Sequence, residues 1–161
     1  LASLGLALLT GLVLGLFPGA MAFAAASDLL TMKISNRLSF GLAVAFFPLA
    51  FTRVCTVEMG SFSEDYGAFA DANTEVLPIS VDSIPTLREF KAKEHLVVDL
   101  LSDFRREVSR RYGTLLEDKF YSGRAYIVID GEGIVRWSFL EETPGTRREN
   151  GELLERLRSL G

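Results

Sequence analysis

Residues 42–62 read LAVAFFPLAFTRVCTVEMGSF and hold two patterns in succession. From Leu42 to Phe51 the run is continuously apolar and bounded by turn or helix signals, as expected of a strand buried on both faces. Then Cys55, Met59, Phe62, Tyr66 and Phe69 recur at spacings of four and three, one stripe of an amphipathic helix over residues 55–72. The joint between strand and helix puts Cys55 in a first helical turn. There, backbone N–H groups without intrahelical partners and the helix dipole stabilise a thiolate. Cys55 is the one cysteine of the chain, with Thr52 three residues before it and Pro48 seven before. The plainer reading of a lone cysteine is a buried, inert, small hydrophobe.

Downstream, EVLPISVD (75–82) reads as the next strand, with Pro78 a flaw that removes one ladder donor. Ser83 and Pro85 open a helix across SIPTLREFKAKE (83–94), one as cap and the other in the first turn. LVVDLLSD (96–103) is a third strand. DFRREVSRRYG (103–113) is a helix with Phe104, Val108 and Tyr112 on one face and Gly113 as its stop. RAYIVID (124–130) and IVRWSFL (134–140) flank GEG and form a hairpin. ENGELLERLRSL (149–160) closes the chain as an amphipathic helix carrying Leu153, Leu157 and Leu160. Such alternation predicts an α/β layered domain with helices on both sheet faces.

Upstream the character changes. Residues 1–26 carry no charged side chain, a run longer than the roughly 20 residues that cross a bilayer as a helix. A transmembrane helix, kinked or softened by Pro18 and several glycines, is the first reading, and a helix packed on a soluble core is its alternative. A cleaved signal peptide fits less well, because no basic residues precede the run. If the run inserts, Lys33 and Arg37 place the following domain on the cytoplasmic side, anchored through residues 1–26, with membrane lipid as a partner. The formal net charge over 161 residues is −4; residues 1–41 contribute +1, so the remainder carries −5. No basic footprint for nucleic acid exists in that balance. One cysteine and one histidine, His95, exclude an intrachain disulfide and a cysteine-rich zinc site, and no metal or cofactor is expected.

AAASDLLTMKISNRLS (24–39) resembles the first helix and loop of the type IV prepilin peptidases, membrane aspartyl proteases. In that family an aspartate at the position of Asp28 is catalytic, followed as here by isoleucine, a small residue and asparagine (Ile34, Ser35, Asn36). Aspartyl chemistry needs a second carboxylate. The family supplies it from a Gly-x-Gly-Asp motif that this chain lacks, so Asp28 reads as a polar residue ending a helix.

Residues 42–161 resemble the peroxiredoxins, whose motif is proline, three residues, threonine or serine, two residues, cysteine. The similarity runs through AFFPLAFTRVCTVEMGSF, NTEVLPISVDSIPTLREF, LLSDFRREVSRRYG, GRAYIVIDGEGIVRW and the last helix. It implies a thioredoxin-like fold of peroxiredoxin type over 42–161, preceded by a peptidase-like segment over 1–41 where that family places a hairpin and first strands. It also implies roles: Cys55 as peroxidatic cysteine, Thr52 as the hydroxyl that holds thiolate and peroxide, and Pro48 as a shield over the sulfur. Arg124 would be the guanidinium set against the thiolate, and Glu58 the residue that orients an arginine. The implied activity is a thiol peroxidase reducing hydrogen peroxide or alkyl hydroperoxides. It would work by a one-cysteine cycle with an external thiol reductant of thioredoxin, glutaredoxin or low-molecular-weight type, and a homodimer remains open. Two alternatives stay beside it: a catalytically incomplete peptidase-derived membrane protein, and a thioredoxin-fold binding module without turnover.

Overall fold

The computed structural model describes residues 41–160. The apolar run of residues 1–26 and Asp28 lie outside the described residues; among those described, no helix is long and apolar enough to cross a membrane.

The apolar run at residue 42 forms β1 (Gly41–Phe46), the central strand of a five-stranded sheet. The stripe that begins at Cys55 forms α1 (Arg53–Glu64) and α2 (Tyr66–Asp71), two helices where the spacing predicts one. Asp65 divides them, ending the first and opening the second at φ −93° and ψ 10°. The stripe survives the break, with Met59, Phe62 and Phe69 all buried. Next come β2 (Thr74–Ser80), α3 (Ile84–Lys93) and β3 (Leu101–Ser102). After them lie α4 (Glu107–Arg111), β4 (Leu115–Leu116) and β5 (Tyr121–Ser122). The domain closes with β6 (Ala125–Asp130), β7 (Val135–Leu140) and α5 (Asn150–Leu160). The large sheet has the order β3-β2-β1-β6-β7, with β2 parallel to β1 and β6 antiparallel to it, while β4 and β5 pair separately.

That order explains which face each helix takes. The steps from β1 to β2 and from β2 to β3 run in the same direction across the sheet, so right-handed crossovers put α1, α2 and α3 on one side. Side chains of all three, with Leu153, Leu154 and Leu157 of α5, pack into one core against Ala45, Val76, Tyr126 and Val128 of the sheet. The other sheet face holds Val44, Phe46, Ile79, Ala125, Ile127 and Ile129, where Phe46 meets the ring of Tyr112 just after α4 at 5.7 Å. Helices on both faces were expected; the division is uneven.

Pro78 proves harmless. Phe47 N donates to Ile79 O, so Ile79 faces β1 and the alternating Pro78 faces the β3 side, where pairing begins only at Ile79 with Leu101. Ser83 caps α3 as expected, accepting from Thr86 N at 3.3 Å.

The third strand shrinks to two residues because side chains claim its backbone. Val97 N donates to Ser63 Oγ, and Lys91 Nζ takes Val97 O and the Asp99 carboxylate, while Leu96 and Val98 still bury. The expected apolar face of α4 is also absent: Phe104 is 60% exposed, and Val108 and Tyr112 are exposed too. What fixes this short helix is Asp103, whose carboxylate accepts from Val108 N, Ser109 N and Ser109 Oγ at 2.7–3.0 Å. Gly113, at φ 67°, ends it as predicted. In the last helix Leu154 is buried where Leu160 was expected, and Leu160 lies exposed.

Burial works against ionisation of Asp103, but the hydrogen bonds from Ser109 and Val108 outweigh it and hold its carboxyl below the usual range. A depressed carboxyl stabilises the fold above its unfolded-state pKa, and that share is lost as pH falls through the folded-state value. Both Asp103 oxygens accept, so Asp103→Asn, which makes one of them an amide donor, is expected to lower stability by about 1 kcal/mol at neutral pH, with the difference fading on acidification. Urea unfolding across that range measures both.

Candidate active site

The site is built where a helix and a strand with different repeats face each other. On α1, Cys55 and Glu58 are three residues apart and share a face one turn apart. On the sheet, Arg124 directly precedes β6, and Tyr126 is two residues further on, so both point to the helix-bearing side. The two pairs meet. Arg124 Nη2 donates to Cys55 Sγ at 3.3 Å, and Arg124 Nη1 donates to Glu58 Oε2. Tyr126 OH donates to Glu58 Oε1 at 2.6 Å. Beyond them, Arg124 Nη2 also reaches Pro144 O at 3.1 Å, and Arg148 N donates to the Tyr126 hydroxyl at 3.1 Å.

Solvent is nearly excluded. Arg124 is 0% exposed, Glu58 1% and Cys55 1%. Burial pushes the Glu58 carboxyl above its ordinary range, against the pull of Arg124, the Tyr126 phenol and Arg147. Burial also opposes the charge on Arg124, but Glu58 and Cys55 beside it prevail and hold the guanidinium protonated. Burial and then Glu58 push the Tyr126 phenol far above its normal range, so its proton stays on and it serves as a donor. Among the described residues, Arg124 Nε is buried and meets no acceptor.

The approach to the helix is strained and tethered. Phe51 adopts φ 61°, a left-handed conformation unusual for a bulky residue. Its ring rests edge-on against Phe90 at 4.9 Å, beneath Lys93 Nζ. Ala50 N donates to Asp82 Oδ2 at 2.8 Å, an oxygen that also accepts from Ser80 Oγ. Thr52 then stands at the N-cap with extended φ −86° and ψ 147°.

Of the five residues singled out in the sequence, Cys55, Glu58 and Arg124 are thus brought into direct contact. Thr52 sits at the head of the same helix, exposed, with its hydroxyl proton donated back to Leu49 O at 2.9 Å; the side chain accepts no capping bond. Pro48 is buried in the turn leading to it. Sequence reasoning passed over Tyr126, Asp82 and the Pro144 carbonyl. Strand alternation alone would have flagged Tyr126 as a neighbour of Arg124, whereas a backbone carbonyl leaves no trace in residue types.

The sequence pattern of the AhpC/TSA family matches residues 26–138. The chain belongs to that family. It is similar to the putative peroxiredoxin ycf42 of Pyropia yezoensis, 37% identical over 115 residues that cover 67% of this chain and 57% of the relative. It is also similar to the mitochondrial thioredoxin-dependent peroxide reductase of Mus musculus, 37% identical over 110 residues, 64% of this chain and 43% of that one. Among solved structures, the reduced 2-Cys peroxiredoxin of Plasmodium vivax superposes with a TM-score of 0.68 at 30% identity, covering 74% of this chain and 65% of that one. The fold is thus the thioredoxin-like α/β fold of peroxiredoxins. The chain spans about half the length of the curated relatives it matches.

Removing one partner of the buried ion pair tests its energetics. Arg124→Met would leave Glu58 buried without its cation and is expected to destabilise the domain by about 3–5 kcal/mol. A carboxyl with a raised pKa in the folded state gives stability that is present at low pH and lost as pH rises through that value. The deficit of Arg124→Met should therefore narrow as pH falls, which urea unfolding at neutral and mildly acid pH would register.

Proposed function

We propose that the chain is a thiol peroxidase in which Cys55 reduces hydrogen peroxide or an alkyl hydroperoxide. The observation that carries this reading is the Arg124 guanidinium, held by Glu58 and aimed at the Cys55 sulfur from a fully buried position. Family membership and the names of its relatives support it.

In the proposed reaction, the Cys55 thiolate attacks the terminal oxygen of the peroxide. A sulfur–oxygen bond forms as the oxygen–oxygen bond breaks, and the departing oxygen takes up a proton to leave as water or alcohol. Cys55 becomes a sulfenic acid. Backbone N–H groups of the first turn of α1 and the Arg124 fork donate to oxygens that gain charge in the transition state. Thr52 joins them when its hydroxyl turns from Leu49 O toward the substrate. One external thiol then displaces water from the sulfenic acid to give a mixed disulfide, and a second restores Cys55; the 161 residues hold no other cysteine. A thioredoxin-type reductant fits the relatives' names.

The near-complete cover on Cys55 favours a second reading, a thioredoxin-fold module without turnover. Stopped-flow oxidation of the reduced protein separates the two. A peroxidase consumes one rapid equivalent of hydrogen peroxide per Cys55, loses that phase in Cys55→Ser, and reacts about 10²-fold more slowly in Thr52→Val while Thr52→Ser stays close to the parent. A Cys55 that reacts with peroxide no faster than a free thiol rules the peroxidase out. The same cover predicts that hydrogen peroxide outpaces tert-butyl hydroperoxide.

A further inference from the structure

Glu58 has two oxygens, and their partners differ. Oε2 receives Arg124 Nη1, and Oε1 receives the Tyr126 phenol at 2.6 Å. A carboxylate beside a guanidinium prefers to close on it with both oxygens, taking two parallel N–H groups. Closing end-on here would bring Oε1 to Arg124 Nη2, the nitrogen that reaches Cys55 Sγ at 3.3 Å and Pro144 O at 3.1 Å. The phenol occupies Oε1 instead. It leaves Nη2 to the sulfur.

We infer that Tyr126 is a positioning residue: by engaging one oxygen of Glu58, its hydroxyl keeps that carboxylate from closing over Arg124 and so aims the guanidinium at Cys55. The idea rests on the peroxidase reading for its benefit to turnover, but the geometry it describes acts on the sulfur's reactivity toward any electrophile. Two further features fit. The phenol sits on the core face of β6, where its body packs with Val128 and the buried side chains of α1, so a hydroxyl at that depth needs partners. It finds a donor as well as an acceptor, since Arg148 N completes its bonding at 3.1 Å. The segment from Pro144 to Arg148 is thereby held at two points, by Arg124 at one and Tyr126 at the other, and the site closes as a ring of hydrogen bonds.

The test is a double-variant cycle on the reduced protein. Second-order rate constants of Cys55 with hydrogen peroxide and, separately, with iodoacetamide are measured for the parent, Tyr126→Phe, Glu58→Gln and the double variant, with urea unfolding of each. Tyr126→Phe keeps the ring and removes only the hydroxyl. It is expected to slow both reactions about tenfold, and to have no further effect once Glu58 is glutamine. A purely structural role would lower the unfolding midpoint without touching the rates, and that result overturns the inference, as does a slowing that persists undiminished in the Glu58→Gln background. Should the parent react slowly with peroxide while iodoacetamide shows the expected pattern, the peroxidase reading falls and the positioning role stands. Faster hydrogen exchange at the Arg148 amide in Tyr126→Phe would support the two-point hold independently of any rate.

Discussion

A guanidinium with no exposure to water is the constraint around which this domain is arranged. Moving such a charge out of water costs several kcal/mol after relaxation, and the cost is offset only by an anion and by acceptors with good geometry. Arg124 finds them on separate pieces of chain: Glu58 and Cys55 on α1, and the Pro144 carbonyl after β7. None of these can shift without leaving a buried donor unpaired. Apolar packing could fill the same volume at no such cost; on the proposed peroxidase reading the ion pair serves to hold the guanidinium against Cys55.

Two repeats must agree for that contact to form. A strand presents every second residue to one face, and a helix presents residues three and four apart. Arg124 with Tyr126 on one side, and Cys55 with Glu58 on the other, are the shortest such pairs, so the two elements dock pair against pair. The docking also depends on how α1 enters. Phe51 in the left-handed region stores strain on the order of 1–3 kcal/mol. It is held there by its packing on Phe90 and by the Asp82 carboxylate that secures Ala50. Strain next to Cys55, supported by groups outside the site, is how a chain fixes a helix start it would not adopt alone.

Much of this was legible in residue order. The buried strand, the stripe through Cys55, the cap at Ser83, the hairpin around Gly133 and the contact of Arg124 with Cys55 all follow from periodicity, turn chemistry or family resemblance. The failures have common physical causes. Leu96 to Leu100 look like a strand because they are apolar, yet Ser63 and Lys91 take the backbone groups a strand would offer to β2. Phe104, Val108 and Tyr112 look like a core stripe, but Asp103 limits the helix to a little more than one turn. The β4–β5 hairpin has strands of two residues, too short for any period to register. In the first two places polar side chains that take up backbone groups override the apolar pattern, and periodicity does not register them.

A tension remains between cover and reactivity, and the structure localises it. The proposed reaction requires Cys55 to be reached, yet Glu58, Met59 and Arg124 around it are exposed to 1% or less. Opening on that side would break the ion pair or empty the core. Toward the head of α1 the situation differs: Phe51, Thr52 and Arg53 are exposed, and the Thr52 hydroxyl makes one exposed hydrogen bond, to Leu49 O. Entry there would disturb one hydroxyl contact and a turn already under strain, so the least costly path to the sulfur runs past Thr52. On the proposed peroxidase reading, an oxygen entering there would pass the threonine hydroxyl and the backbone N–H groups of the helix start on its way to the sulfur, with the Arg124 guanidinium on the sulfur's other side.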